Sequence, residues 1–162
     1  MKALGIAFRL YDLLAIDPGK KLCGWAAFAE LVDGSFQLVD CGLWRVNPKL
    51  SRECSAPFAR VVMLEKPQIY SSRVSKGDPN DLVDIAVRGA WLAASMAPKA
   101  TLVTRLPREW KGTVDPEVML DRIKDRLSAW ELGHLDRCGA PPSLMHNVID
   151  AIGLGLHGVG RL

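Results

Sequence analysis

The chain has 162 residues, 49% of them apolar, and a formal net charge of +3. That length gives one domain a proper core but leaves no room for two, and the apolar share excludes a disordered chain. The charge is compatible with a nucleic-acid partner without requiring one.

Residues 1–10 are apolar with two basic residues and read as an extra strand or a loose arm. Tyr11 to Asp17 is the first strand: its apolar centre, Leu13 to Ile16, ends in one acid, and Pro18-Gly19 turns the chain. Asp17 then stands at the end of an interior strand, where an unpaired carboxylate is costly unless it meets a cation or a donor. An Asp that merely starts a turn through its side-chain oxygen is the other reading. Leu22 to Glu30 is the second strand, and Asp33-Gly34 turns it into a third, Phe36 to Val46. These three strands form an antiparallel meander. Asn47 to Ala59 is polar, with room for one short helix at most.

Arg60 to Glu65 repeats the opening pattern, an apolar run closed by an acid, with Pro67 following. Ile69 to Asn80 reads as a basic loop. Asn80 caps a helix that runs to about Ala97, with Leu82, Ile85, Ala86 and Gly89 at helical spacing. Its small residues allow close packing on a sheet or on another chain. Ala100 to Arg105 is a fifth strand, and Pro107 to Thr113 a polar loop holding Trp110 and Lys111. Asp115-Pro116 starts a helix reaching about Trp130. Gly133 to Pro142 is a loop, and Ser143 begins a last helix that runs toward His157. Helical crossovers favour parallel pairing of the later strands in a mixed α/β layout.

The cysteines Cys23, Cys41, Cys54 and Cys138 stand singly with no C-x-x-C pair, which argues for reduced thiols in a cytosolic protein. No signal peptide is recognisable at the start, and no stretch approaches the ~18 uninterrupted apolar residues of a membrane span.

If the first and fourth strands lie side by side in parallel, Asp17 and Glu65 face one another. Asp150 sits in the last helix among apolar and small residues, with Asn147 and His146 three and four residues earlier on the same helical face. Three acids with an amide or imidazole make an oxygen-rich cage for hard cations such as Mg²⁺. Two such ions about 3.5–4 Å apart activate water and stabilise the leaving oxygen of a phosphodiester.

The motifs I-D-P-G-x-x-x-x-G-W-A at Ile16 to Ala26, L-E-K-P at Leu64 to Pro67 and H-N-x-x-D-A-I-G-L-G-L at His146 to Leu156 resemble those of RuvC-type Holliday junction resolvases, the phage-borne branch above all. Trp110-Lys111-Gly112 also resembles that branch. The resemblance implies a ribonuclease H-like fold: a mixed five-stranded sheet, three antiparallel hairpin strands plus two parallel ones, with flanking helices. It implies one nuclease domain over residues 1–162, in the cytoplasm of a bacterial or phage-infected cell. By the resemblance, Asp17, Glu65 and Asp150 are catalytic metal ligands for two Mg²⁺ ions, with Mn²⁺ as an alternative. The remaining ligand position, an Asp or His in the family, falls on Asn147. Three explanations compete: Asn147 is a neutral ligand, His146 takes over, or an Asp-to-Asn change has inactivated the site. Asn147 is the preferred occupant. The connection from Asn47 to Ala59 is also shorter than the family's.

The implied partner is a four-way DNA junction, met by a homodimer whose surface is the small-residue helix. Lys20 and Lys21 after the first turn, and Lys66, Arg73 and Lys76 after the second acid, are candidate phosphate contacts. Tyr70 is the candidate for stacking on an unpaired base, and Lys111 for a phosphate contact near the scissile bond. Trp110 reads as packing, and Arg122, Lys124 and Arg126, offset by Asp121 and Asp125, as a solvated face. The alternatives are a junction-binding protein with weakened or lost catalysis, a broader branched-DNA nuclease, and a ribonuclease H-like enzyme of RNA maturation. An actin-like ATPase, suggested by D-x-G-x-x-x-x-G, needs a second domain that this length excludes.

Overall fold

The computed structural model describes residues 10–19, 22–45, 58–68, 79–96 and 100–162. Five strands, β1 (Leu10–Asp17), β2 (Leu22–Glu30), β3 (Phe36–Arg45), β4 (Phe58–Glu65) and β5 (Thr101–Arg105), form one sheet in the order β3-β2-β1-β4-β5. β1, β2 and β3 pair antiparallel, whereas β4 runs parallel to β1 and β5 parallel to β4. The helices are α1 (Pro79–Met96), the single turn α2 (Pro107–Trp110), α3 (Pro116–Asp125), α4 (Ala129–Arg137) and α5 (Met145–Gly158). This is the mixed sheet with flanking helices that the sequence predicts.

β1 lies in mid-sheet, and its side chains are buried on both faces, which is why its centre is a continuous apolar run. Leu13 and Ala15 join the larger core, with Phe28, Met63 and the apolar residues of α5. Leu14 and Ile16 join Val62 and Leu64 on the opposite face, against which Trp91 of α1 packs. Each buried Leu or Ile contributes about 2 kcal/mol of transfer free energy, so burial on both faces holds β1 in the middle of the sheet.

α5 is apolar nearly all round, because it is covered by the sheet on one side and by α2 and α3 on the other. Gly153 makes that fit: a Cβ there would lie 2.5 Å from the Trp110 ring and 2.6 Å from Ile123. On the other face, a Cβ at Gly89 of α1 would lie 2.9 Å from Pro18. At that point the small-residue helix packs on its own sheet. No helix among the described residues is long and apolar enough to cross a membrane. Cys23, Cys41 and Cys138 are free thiols; burial pushes Cys23 up to about 11 and Cys41 up to about 12.

Several boundaries differ from the expectation. β4 starts at Phe58 rather than Arg60, and the loop after β5 contains the turn α2. The helix expected from Pro116 to Trp130 is two helices, α3 and α4, and α4 occupies much of the expected loop at Gly133. The break is a capping box: the Ser128 hydroxyl accepts from the Glu131 N–H, and the Glu131 carboxylate accepts from the Ser128 N–H. A 3₁₀ turn, Pro142–Leu144, stands where α5 was expected to begin, because Pro141-Pro142 withholds two N–H donors. The connection at Asn47, residue Cys54 and the arm at residues 1–9 lie outside the described residues.

Glu131 also ties α4 to the sheet. Its buried carboxylate accepts from the Leu38 N–H of β3 at 2.8 Å and from the Arg161 guanidinium at 2.6 and 3.0 Å. Burial works against its charge, but Arg161 and the two backbone donors outweigh that and bring its pKa from 4.5 to about 2. Because the folded value lies below the unfolded one, the stabilisation is complete above pH 4.5 and fades as the pH falls toward 2. A gap of that size corresponds to about 3 kcal/mol. Glu131→Gln is expected to lose about that much in urea unfolding at pH 7 and much less near pH 2.5. An unchanged midpoint at pH 7 would refute the assignment.

Candidate active site

The site is built where β1 and β4 end together. The two strands are parallel, with Ile16 beside Leu64, so Asp17 and Glu65 are the next residues of each. Side chains alternate across a strand, so Asp17 follows Leu13 and Ala15, and Glu65 follows Met63, onto the face covered by α5. Asp150, on the second turn of α5, completes the acid cluster. The three charges act on one another. Burial, then the charges of Glu65 and Asp150, hold the Asp17 carboxyl well above the usual carboxylate range, and Lys111 opposes them. Burial also raises Glu65, against the pull of Lys111 and of a hydrogen bond from Trp110.

Two neighbours of the acids come from the segment after β5. Glu65 pairs with Arg105 in the sheet, so the chain leaving β5 passes the acid directly. Trp110, buried in the core, donates its indole N–H to Glu65 Oε2 at 2.6 Å. Lys111 Nζ lies 3.1 Å from Asp150 Oδ2, 3.7 Å from Glu65 Oε2 and 4.8 Å from the centre of the Trp110 ring. Burial lowers the pKa of that ammonium, but attraction to Glu65 and Asp150 prevails and holds it above the usual lysine value.

Trp110 is therefore more than packing, and Lys111 is directed at carboxylates where a phosphate contact was expected. Beside them an open cleft of about 750 Å³ is lined by Arg108, Lys111, Arg122, Asp125 and Arg126 among others, so the face of α3 read as solvated borders the site.

The donor chemistry, three carboxylates and an amide with no thiolate, suits a hard divalent cation. The spacing is another matter: among the described residues, no group of three or more His, Cys, Asp and Glu side chains is gathered closely enough to hold a metal ion. His146 is exposed on the first turn of α5 and joins no such group. Lys66 is exposed just after Glu65, its backbone N–H paired to the Arg105 carbonyl. Lys20, Lys21, Tyr70, Arg73 and Lys76 lie outside the described residues.

The sequence matches no protein-family model and no curated protein. The structure is similar to that of Thermus thermophilus RuvC in complex with a Holliday junction substrate. That similarity covers 89% of this chain and 90% of that one, with a TM-score of 0.52 and 14% identity. The fowlpox virus Holliday junction resolvase has a TM-score of 0.52 and 14% identity over 91% of this chain and 96% of its own. The yeast mitochondrial Holliday junction resolvase reaches 0.57 at 10% identity, over 97% and 82%. The chain has the fold of the RuvC-type resolvases.

Within that RuvC-type fold, Asn147 is set by the approach of α5 to β2. Gly24 is the Cα partner of Asp17, and a Cβ on it would lie 1.9 Å from the Asn147 carbonyl oxygen. The Asn147 amide nitrogen also comes within 3.9 Å of where a Cβ on Gly19 would stand. Asn147 thus hangs over the turn that follows Asp17. Gly24→Ala is expected to push α5 off the sheet and to cost about 1–3 kcal/mol or more in urea unfolding. Wild-type stability in that variant would show that α5 does not sit so close.

Proposed function

We propose that this chain is a metal-dependent, structure-selective endonuclease that resolves four-way DNA junctions by paired, symmetric nicks. The observation that carries the reading is the convergence of Asp17, Glu65 and Asp150 at the joint end of two parallel strands, on the RuvC-type fold. Two of the similar structures, Thermus thermophilus RuvC and the fowlpox virus resolvase, are complexes with Holliday junction DNA, which supports branched DNA as the partner.

In this reading Asp17, Glu65 and Asp150, with the amide oxygen of Asn147, would hold two Mg²⁺ or Mn²⁺ ions, and these would supply Lewis-acid activation of water and charge stabilisation at the phosphodiester. The chain's own residues prepare the site. Buried like charges make Asp17 and Glu65 receptive to positive charge, and Trp110 fixes one oxygen of Glu65. Arg108 and Arg122 in the adjoining cleft are placed to meet the DNA backbone without reading sequence. In-line attack of water leaves a 5′-phosphate and a 3′-hydroxyl. The family branch is that of phage resolvases, acting in the cytoplasm of a bacterial or phage-infected cell.

A symmetric junction suits a two-fold dimer. Support comes from α1, whose outward side exposes Val83 (60%), Val87 (62%), Ala90 and Ala94 at intervals of four, three and four residues. That spacing is an apolar seam at coiled-coil period. Val87→Glu is expected to convert the dimer to monomer in light scattering coupled to size exclusion, with the fold retained. A wild-type chain that is monomeric at assay concentrations would remove the dimer from the reading.

Asn147 favours a second reading, a junction-binding protein with weakened catalysis, because a neutral amide stands where the resemblance expects an acid or His. A nicking assay on a labelled four-way junction with Mg²⁺ or Mn²⁺ separates the two. Paired nicks by the wild-type chain are expected, together with loss of cleavage but not of junction binding in Asp17→Asn. Cleavage only by Asn147→Asp would establish the second reading. No cleavage and no junction-selective binding by either would sink both.

A further inference from the structure

We infer that Lys111 is a resident counter-ion, occupying the acid cluster and excluding divalent cations from it until one displaces the ammonium. The inference rests on the proposed reading, that the acids receive a metal, and adds the step that controls access.

One ammonium meets Asp150 Oδ2 at 3.1 Å and Glu65 Oε2 at 3.7 Å, and its charge also acts on Asp17. A divalent ion needs such oxygens at about 2.0–2.6 Å, directed inward at one point. With the ammonium facing both Asp150 Oδ2 and Glu65 Oε2, an ion that uses these oxygens must first displace it.

The backbone at Lys111 caps α2 and is held by its N–H bond to the Pro107 carbonyl. Trp110 beside it is locked against α5. What can move is the lysine side chain, a flexible four-carbon stem with a compact charge. It is 24% exposed and opens onto the cleft lined by Arg108 and Arg122. Displaced from the acids, the ammonium joins those two cations where a phosphodiester would lie. Lys111 thus neutralises the carboxylates when the ion is absent and faces phosphate when it is bound. An ordinary exposed ion pair contributes little and excludes nothing. This one is inserted among three mutually repelling acids.

Calorimetric titration of the full chain with Mg²⁺ and with Mn²⁺ tests this directly. Lys111→Met is expected to bind about tenfold more tightly than wild type, the gain when an occupant present in about nine molecules of ten is removed. Lys111→Arg, which keeps the charge, is expected to bind no more tightly than wild type. Lys124→Met removes an equal charge from the exposed face of α3 and is expected to change affinity little. Without metal, Lys111→Met melts lower than wild type, and Mg²⁺ raises its melting temperature by more. If Lys111→Met does not fold, Lys111→Gln carries the same comparison. Equal affinity in wild type and Lys111→Met overturns the inference and leaves the nuclease reading standing. An equal gain in Lys124→Met also overturns it, since a general field would then suffice. Absence of binding in both wild type and the Lys111 variant brings down the inference and the metal-dependent reading together.

Discussion

Carboxylates placed side by side in a partly dry environment repel one another, and a chain that gathers three of them must answer that repulsion. Here the parallel pairing of β1 with β4 forces Asp17 and Glu65 together, and α5 adds Asp150. Two of the acids are raised by burial and by their neighbours, so the cluster attracts a positive charge. The chain supplies one from Lys111 and a neutral donor from Trp110. The segment after β5 is thus part of the site's electrostatics as much as of its walls.

The remainder of the fold serves to hold the two sides of that cluster in register. β1 and β4 are rigid because they are buried on both faces, and a slip of one residue in either would exchange its two faces and carry Asp17 or Glu65 away from α5. α5 is rigid because glycines let it lie against aromatic rings and backbone. Gly24 admits the Asn147 carbonyl, and Gly153 admits Trp110. Since Trp110 touches both Gly153 and Glu65, the position of α5 is coupled through one indole to the acid on β4. The Glu131–Arg161 pair fixes α4 to β3.

Much of this was legible in the sequence. The five strands follow from apolar runs bounded by turn residues, two of them closed by an acid shortly before Pro, at Asp17 and Glu65, and the third acid, Asp150, lies in an apolar helix. Those signals are local and strong, because a buried run has few ways to end. The helix break at Ser128 was also present as Ser128-x-x-Glu131, a capping signature masked by helix-forming residues on both sides. The approach of Glu65 to Trp110 had no such signature, since an indole reads as packing until its N–H is seen to face a carboxylate.

The elements and the kinds of group they carry can be read along the chain, because periodicity and turn chemistry act over a few residues and leave a local pattern. Which groups share charge depends on how those elements pack. Lys111 lies 46 residues from Glu65 and 39 from Asp150 in the chain. No local rule distinguishes a lysine that faces solvent from one that faces buried acids. The distinction arises because β5 pairs with β4 and the chain then turns back across the strand ends, and Coulomb attraction depends on distance in space rather than along the chain.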